Sequence, residues 1–237
     1  MSKDEVAVAT ACLDPFMTDA RRTRVAATLG QRLESVTVVM DSPHDPHNGS
    51  AVLRSCDAFG VQHLHVVERW EPFIAARAVS RGSERWVDVH TYRTGKDAAA
   101  QLAAGQFRLV ATHPDGELSP SELAASSDRI AIVLGNERDG IAPELAAACT
   151  TRVRVPMRGF AESLNVSVTA AILLSAFAAR RPGDLGEDER ARLYLRALVL
   201  TLPRATEILR AKGLSPLDPA GLGALPGPDV ASGAEDH

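Results

Sequence analysis

The 237-residue sequence is poor in aromatic residues and in cysteine, and it has no long apolar run. Because aromatic residues make up 4% of the chain, we expect a core of Ala, Val and Leu, with helices packed closely on a sheet. The three cysteines, Cys12, Cys56 and Cys149, have neither a CxxC pattern nor a histidine at ligand spacing, which favours free thiols in a reducing cytoplasm over a metal site. No run approaches the roughly 20 apolar residues that span a bilayer, and the first ten residues lack a secretory pattern. A cytoplasmic protein without a membrane segment is expected.

Several catalytic signatures are also missing. No GxGxxG follows the first predicted strand, and there is no Walker loop, HExxH or GxSxG motif, which argues against the chemistries that these motifs serve. A basic balance is missing too, since the formal net charge is −4. Four acidic residues after Gly213, in a segment without Lys or Arg, account for that imbalance. The rest of the chain therefore permits a basic patch for RNA without indicating one.

What the sequence does contain is a series of short apolar runs separated by helical patterns. The runs expected to be buried strands are 35–40, 64–67, 86–89, 107–111, 130–134 and 153–155. Helical patterns at 50–59, 96–104 and 166–179 lie between or after them. This alternation predicts an α/β fold with a mostly parallel six-stranded sheet and helices on both faces.

Three regions are expected along the chain. Residues 1–35 form an N-terminal helical arm for RNA, in which Thr18 or Asp19 caps a helix with four arginines, although residues 1–20 otherwise show little pattern. Residues 36–181 form the α/β domain. Residues 182–237 form a C-terminal extension, amphipathic and helical over 186–212 and then a Pro/Gly-rich tail that we expect to be extended or disordered.

A ligand site is expected where predicted strands end in glycine-containing loops, because α/β sheets bind ligands beyond the carboxyl ends of their strands. One such strand runs into Gly135-Asn136-Glu137, and the next into Pro156-Met157-Arg158-Gly159. Taken alone, Arg54 is more simply a solvated helix residue and Glu137 a charge near a helix start. Asn165 heads an apolar helix, and a buried amide at that position needs a hydrogen-bond partner.

Three segments together resemble the signature motifs of the SPOUT-class (SpoU/TrmH family) RNA 2′-O-ribose methyltransferases. They are NGSAVLR at 48–54, IVLGNERDGI at 132–141, and the stretch from Val155-Pro156-Met157 to SLNVSV at 163–168. Their order and spacing match, and the resemblance covers roughly residues 20–180. Within that class the chain is most similar to the tRNA guanosine-18 enzymes, because of the arginine-bearing helix, the Pro46-His47-Asn48 loop and Ser80-Arg81-Gly82-Ser83.

The resemblance implies a SPOUT fold with a C-terminal trefoil knot, S-adenosylmethionine as the cofactor, no metal, a tRNA substrate and a homodimer. It assigns catalysis to Arg54, Asn48, Glu137, Ser163 and Asn165. It assigns cofactor contacts to Thr112, Leu134, Gly135, Ile141, Val155, Met157 and Leu164, and RNA contacts to Arg24, Arg32 and His47. Arg54 is either the base for the ribose hydroxyl or an electrostatic clamp on RNA, since a free guanidinium has a pKa above ~12.

Two alternative functions stay open at this point. One is 2′-O-methylation of ribosomal RNA or of another tRNA ribose, and the other is a knotted RNA-binding protein without catalysis. The assembly also has an alternative. The helix at 165–179 is small or apolar almost all round, so we expect a second subunit to cover it, unless residues 186–212 fold back over it.

Overall fold

A computed structural model of the chain describes residues 1–69, 72–73, 77–136 and 138–223. The strands, in chain order, are β1 (Leu33–Asp41), β2 (Val61–Val67), β3 (Asp88–Tyr92), β4 (Phe107–Thr112), β5 (Arg129–Leu134) and β6 (Thr151–Val153). They form one sheet in the order β3-β2-β1-β5-β4-β6, and every neighbouring pair is parallel. The predicted parallel six-stranded sheet is confirmed.

Helices cover both faces of this sheet, as predicted. In chain order they are α1 (Lys3–Leu13), α2 (Asp19–Leu29), α3 (Pro46–Ala58), α4 (Arg77–Ser80), α5 (Gly95–Ala104), α6 (Pro120–Ala124), α7 (Pro143–Ala146), α8 (Val166–Ala178), α9 (Glu187–Thr201) and α10 (Ala205–Ala211). On one face α3, α6 and α8 pack together over the main apolar core. On the other face α5 and α7 cover a second cluster.

Strand β1 lies in the middle of the sheet and is buried on both sides. Val36 and Val38 belong to the core under α3 and α8, whereas Val39 belongs to the cluster under α5 and α7. Side chains alternate between the two faces of a strand, so a strand covered on both faces is apolar at successive positions. This explains why β1 reads as one continuous apolar run.

The order of the strands reverses beside β1. The chain leaves β1 towards β2 and β3, and later returns on the other side of β1 as β5. A reversal of this kind leaves a crevice beyond the carboxyl ends of two neighbouring parallel strands, where ligands bind. Here the crevice lies between Asp41, at the end of β1, and Leu134, at the end of β5.

The N-terminal helix α1 packs on the C-terminal helices α9 and α10. Leu13 of α1, Leu198 of α9 and Leu209 of α10 share an apolar cluster, and α2 also packs on α9. Strand β1 begins at Leu33, inside the segment expected to be the arm. The division into residues 1–35, 36–181 and 182–237 stays a prediction about domains.

Several element boundaries differ from the sequence-based expectation. Helix α1 occupies a segment that seemed patternless, where Ser2 and Glu5 form a capping box. Helix α3 starts at Pro46 rather than residue 50, because Asp45 caps it and proline suits the first helical position. The third strand is 88–92 rather than 86–89, and the sixth is 151–153 rather than 153–155. Residues 186–212 form two helices, since Pro203 precedes Arg204, whose φ of 63° interrupts the helix.

The C-terminal tail is described as far as Gly223. A short 3-10 helix spans Pro219–Leu222, and Leu222 is buried in the apolar cluster that α1, α9 and α10 share. The expectation of an extended or disordered tail is therefore wrong for this turn, because an apolar anchor holds it. The remainder of the tail, residues 224–237, lies outside the described residues.

Candidate functional site

A hydrogen bond between two asparagines joins the first and third predicted motifs. Asn165 Nδ2 donates to Asn48 Oδ1 at 3.0 Å, across 117 positions of sequence. Asn48 lies in the first turn of α3, and Asn165 caps α8, its Oδ1 accepting from the backbone N–H of Ser167 at 2.8 Å. Asn165 is exposed rather than buried as expected, because α8 begins at the protein surface. Its amide nevertheless has the hydrogen-bond partner that was sought.

Arg54 and His47 lie on the same helix as Asn48, and both are exposed. Within the described parts of the chain, the side chain of Arg54 makes no hydrogen bond or ion pair. Its guanidinium is thus available to an incoming anion. Ser163 is exposed in the loop before α8, two residues from Asn165, while Glu137 lies outside the described residues.

The loop after β5 forms a tight turn around a glycine. A Cβ atom on Gly135 would lie 2.4 Å from the carbonyl carbon of Gly140 and 2.7 Å from the backbone N of Ile141, so only glycine allows this approach. Asn136 closes the turn through backbone hydrogen bonds in both directions with Gly140, of 3.1 and 3.2 Å. Leu134, Gly135 and Ile141, three of the predicted cofactor residues, are therefore brought together.

The ends of β4 and β6 meet beside this turn. Thr112 Oγ1 donates to the carbonyl of Val133 on β5 at 3.0 Å, and the N–H of His113 donates to the carbonyl of Val153 at 3.0 Å. A Cβ on Gly116 would lie 2.5 Å from the carbonyl carbon of Val153. The structure thus places Thr112 against the strand that leads into the Gly135 turn.

The remaining predicted cofactor residues lie in the loop between β6 and α8. Val155 is half-buried, whereas Met157 is 38% exposed and Leu164 is 37% exposed. Large apolar side chains with this much free surface are suited to contact a ligand, although single exposed apolar residues are common on protein surfaces. Their role stays a prediction from the family resemblance.

The arginines predicted to bind RNA are not equivalent. Arg32 is 4% exposed, and its guanidinium donates to Gln62, to Asp57 at 3.0 Å and to the carbonyl of Trp86 at 3.3 Å. It lies just before β1, at the amino ends of the strands, whereas the asparagine pair lies beyond their carboxyl ends. We therefore correct this prediction, because a buried and fully engaged guanidinium cannot reach a phosphate. Arg24 is exposed on α2 and has no described partner.

Sequence reasoning missed a polar group at the crevice beside β1. The buried carboxylate of Asp41 accepts from the N–H of Ala142 at 2.6 Å and is 3.0 Å from Arg69 Nη2. Asn136 Nδ2 reaches the carbonyl of Asp41 at 3.5 Å. The available signal was an acidic residue directly after the apolar residues of β1.

A row of histidines lies on β2 and β3, away from these loops. His63 Nδ1 is 3.2 Å from His90 Nε2, and His65 Nδ1 is 2.8 Å from the Tyr92 hydroxyl. Burial lowers the pKa of His63 and of His90, and burial with the two neighbouring histidines lowers the pKa of His65 to about 3. These rings are therefore neutral at physiological pH.

One group of potential metal ligands is found in the described part of the chain, consisting of His63, Asp88 and Glu189. Arg192 contacts both carboxylates, and Arg196 also pairs with Asp88. Burial opposes ionisation of Asp88, but the two guanidinium groups hold its pKa below the ordinary value. Because these cations already neutralise the carboxylates, we assign the group to the fold.

Two further expectations concern cysteines and membranes. Cys12, Cys56 and Cys149 are free, and burial raises the pKa of the Cys56 thiol to about 12 and that of Cys149 to about 11. Thiols with raised pKa values are poor nucleophiles at neutral pH. Across the described residues, every helix is too short or too polar to cross a bilayer.

The fold and these loops define an α/β protein with a candidate ligand site at the reversal point of a parallel sheet. The chain belongs to the SpoU rRNA Methylase family, whose model matches residues 35–175. Over 180 residues it is 33% identical to the tRNA (guanosine(18)-2′-O)-methyltransferase of Escherichia coli (strain K12), which covers 76% of each chain.

Solved structures agree with this assignment. The A. aeolicus TrmH/SpoU tRNA modifying enzyme superposes with a TM-score of 0.68 at 26% identity, covering 78% of this chain and 98% of that one. An AdoMet-bound rRNA methyltransferase from Sinorhizobium meliloti superposes with a TM-score of 0.55 at 27% identity, covering 62% of this chain and 57% of that one. The SPOUT fold is confirmed, and S-adenosylmethionine is the cofactor of the family.

Proposed function

We propose that this protein transfers a methyl group from S-adenosylmethionine to the 2′-hydroxyl of guanosine 18 in tRNA. The observation that carries the proposal is the hydrogen bond between Asn48 and Asn165. It holds the helix that bears Arg54 beside the loop of the third motif, at the same edge of the sheet as the Gly135 turn. The resemblance to guanosine-18 enzymes supports this substrate over ribosomal RNA, which the wider family also includes.

The residues at this edge fit S-adenosylmethionine. At Gly135 the turn presents backbone rather than a side chain, since a Cβ there would lie 2.4 Å from the carbonyl carbon of Gly140. Met157 and Leu164 add exposed apolar surface. Apolar walls with a few aimed backbone groups are typical of sites for cofactors of this size. When bound there, S-adenosylmethionine supplies an electrophilic methyl group.

The chain's own residues have to orient the ribose hydroxyl and favour loss of its proton. We assign Arg54 to binding an RNA phosphate and stabilising the developing negative charge, because its guanidinium is a planar, permanently charged donor. The alternative, in which Arg54 accepts the proton, requires that its guanidinium first lose a proton to another base, whereas a neighbouring phosphate anion favours the charged form. Asn48 and Asn165 position the helices, and Ser163 and Glu137 are proposed to orient the ribose.

Contacts to the body of the tRNA are proposed for exposed basic residues. Arg24 and His47 are suited to phosphate oxygens, and such contacts position RNA without reading its sequence. Arg32 is removed from this set because it is buried. Arg21 and Arg22 of the same helix donate to the carbonyl of Thr201 and to Asp14, so they fasten α2 to the rest of the protein.

We also propose a homodimer formed through α8. Ala170, Leu173, Leu174 and Phe177 of this helix are buried against the protein, whereas Val168 is 45% exposed and Ile172 is half-buried. Helix α9, the intrachain candidate to cover α8, packs on α1 and α2 instead. A second copy of α8 is then the natural cover, and sedimentation of the purified protein at twice 25.2 kDa is expected.

Two further features follow from the family and are proposed on that basis. The first is a trefoil knot in the chain that leads from β5 to α8. The second is a cytoplasmic location, where tRNA is processed and where free thiols such as Cys12 persist.

The substrate is tested by mapping methylated riboses. The protein is incubated with labelled S-adenosylmethionine and with bulk tRNA or ribosomal RNA, and the 2′-O-methyl positions are then located. Label at guanosine 18 of tRNA is expected. Label in ribosomal RNA or at another tRNA position would move the protein to the alternative substrate class, and binding of RNA without transfer would indicate a protein that has lost catalysis.

A further inference from the structure

The strongest unassigned feature is the polar group around Asp41. This residue ends β1 in the middle of the sheet, and it is 1% exposed. A buried carboxylate is expensive unless charged or N–H groups compensate it. The N–H of Ala142 donates to Oδ2 at 2.6 Å, and Arg69 Nη2 lies 3.0 Å from Oδ1.

Asp41 holds both ends of the turn that follows β5. Ala142 directly follows Ile141, at the far end of the turn, and its N–H donates to the carboxylate of Asp41. Asn136, at the near end, donates its Nδ2 to the backbone carbonyl of Asp41 at 3.5 Å, while its Oδ1 accepts from the N–H groups of Arg138 and Asp139 at 2.9 and 2.7 Å. The turn that contains Gly135 and Gly140 is therefore fixed to the end of β1.

The residue after Asp41 also holds the start of the loop that leads from β1 to α3. Ser42, directly after Asp41, has a φ of 51°, an uncommon conformation for a residue other than glycine. Its N–H and Oγ both donate to the carbonyl of Val67, at 2.9 and 3.2 Å, and Arg69 Nε donates to its Oγ at 2.8 Å. Arg69 thus contacts the two residues through which β1 passes into the loop that leads to Asn48.

We propose that Asp41 is a positioning residue that sets the cofactor turn relative to the helix bearing Arg54, with Arg69 as its counter-charge. The inference rests on the proposed assignment of Leu134, Gly135 and Ile141 to S-adenosylmethionine. One side of Asp41 leads to the residues that handle the RNA hydroxyl, and the other holds the turn that handles the methyl donor. In-line transfer depends on their separation, and a misplacement of about 1 Å can lower a rate by ~10²-fold.

A purely structural role for Asp41 is the competing explanation, and the sheet offers a matched control. Asp88 is also a buried carboxylate, 5% exposed and paired with Arg196 and Arg192. It begins β3, at the opposite edge of the sheet from the Gly135 turn. Asp41→Asn and Asp88→Asn make the same chemical change at two buried ion pairs, so a structural effect alone would give both variants the same profile.

The experiment measures S-adenosylmethionine affinity by calorimetry without RNA, KM and kcat on tRNA, and Tm. For Asp41→Asn we expect affinity for S-adenosylmethionine to fall roughly tenfold, the scale of weakening one charge-assisted hydrogen bond, and kcat to fall by about 10²-fold. Asp88→Asn is expected to lower Tm at least as much, with affinity for S-adenosylmethionine and KM on tRNA unchanged. If Asp41→Asn does not fold, Arg69→Gln carries the test, with a severalfold loss of affinity expected.

The outcomes separate two failures. Wild-type protein that binds no S-adenosylmethionine would overturn the proposed function itself. Wild-type and Asp41→Asn (or Arg69→Gln) proteins that bind it equally, with only Tm changed as in Asp88→Asn, would overturn the positioning role and leave the proposed function intact.

Discussion

We call the side of the sheet where the strands begin its amino-end edge, and the side where they finish its carboxyl-end edge. At the amino-end edge, Arg32 and Arg196 are buried and each is paired with an aspartate, Asp57 and Asp88 respectively. At the carboxyl-end edge, Arg54 is exposed and has no described partner. The residue type is the same, but the surroundings differ. A buried guanidinium has to be satisfied within the protein, whereas an exposed one keeps its donors for a ligand. Burial and pairing, more than the residue type, therefore separate the arginines that stabilise the fold from those whose guanidinium groups are open to a ligand.

The largest expected effect is on stability at the amino-end edge. Arg196→Ala removes one of the two guanidinium groups that pair with the buried carboxylate of Asp88, and breaking a buried pair in this way destabilises by about 3–5 kcal/mol. We expect thermal unfolding by calorimetry to shift down by roughly 10 °C for a chain of this size. Methyl transfer per folded molecule is expected to be unchanged at 20 °C, and a catalytic loss without a thermal shift would contradict this.

The opposite result is expected at the carboxyl-end edge. Arg54→Ala removes an exposed side chain, so Tm and S-adenosylmethionine affinity stay near wild type while methyl transfer falls by at least ~10²-fold. Arg54→Lys is expected to fail as well, because a point charge lacks the planar fork. Single-turnover transfer of labelled methyl measures this, and normal turnover in Arg54→Ala would remove Arg54 from the mechanism.

A smaller effect is expected from pH, through the histidine row. An unfolded histidine takes up a proton below about pH 6.5, but folded His65, with a pKa of about 3, does not. Its contribution to the free energy of unfolding is therefore complete above pH 6.5 and is lost progressively as the pH falls towards 3. The loss amounts to about 2 kcal/mol at pH 5. His65→Asn is expected to show a smaller drop in Tm between pH 7 and pH 5 than wild type. The exposed control His47→Asn is expected to keep the wild-type drop.

The smallest expected effect is on tRNA affinity and concerns Arg24, with Arg32 as the comparison. Arg24→Ala is expected to weaken tRNA binding severalfold and to reduce its salt dependence by about one counterion, with Tm unchanged. Arg32→Ala is expected to lower Tm and to leave the tRNA affinity of the folded protein unchanged. Filter-binding titrations over a range of salt, together with thermal unfolding, decide this, and equal profiles for both variants would contradict it.

The sequence allowed the sheet to be predicted because buried parallel strands are runs of apolar residues, as in β1 and β5. The family motifs then indicated Asn48, Gly135 and Asn165, whose contacts the structure describes. Arg32 was misjudged because a charged residue on a helical pattern looks solvated, and its partners Asp57 and Gln62 are 25 and 30 positions away. Helix α1 was missed because its buried face consists of only a few small or apolar residues.

Asp41 shows the same limit at the candidate site. Nothing local marks it as more than a polar residue after a strand, since its partners Arg69, Asn136 and Ala142 come from other loops. Pairings of this kind depend on the order of strands in the sheet, which alternating sequence patterns do not specify. The chemistry of the motifs was therefore easier to predict than the contacts that hold them in place.

The central claim is that the carboxyl-end edge of this sheet methylates the 2′-hydroxyl of guanosine 18 in tRNA. The most direct test compares two tRNAs that differ only in one atom, one with guanosine at position 18 and one with 2′-deoxyguanosine there. Transfer of labelled methyl from S-adenosylmethionine is measured for both under single-turnover conditions. We predict rapid transfer to the first tRNA and none to the second, with both bound equally well. Transfer to both at the same rate would contradict the account.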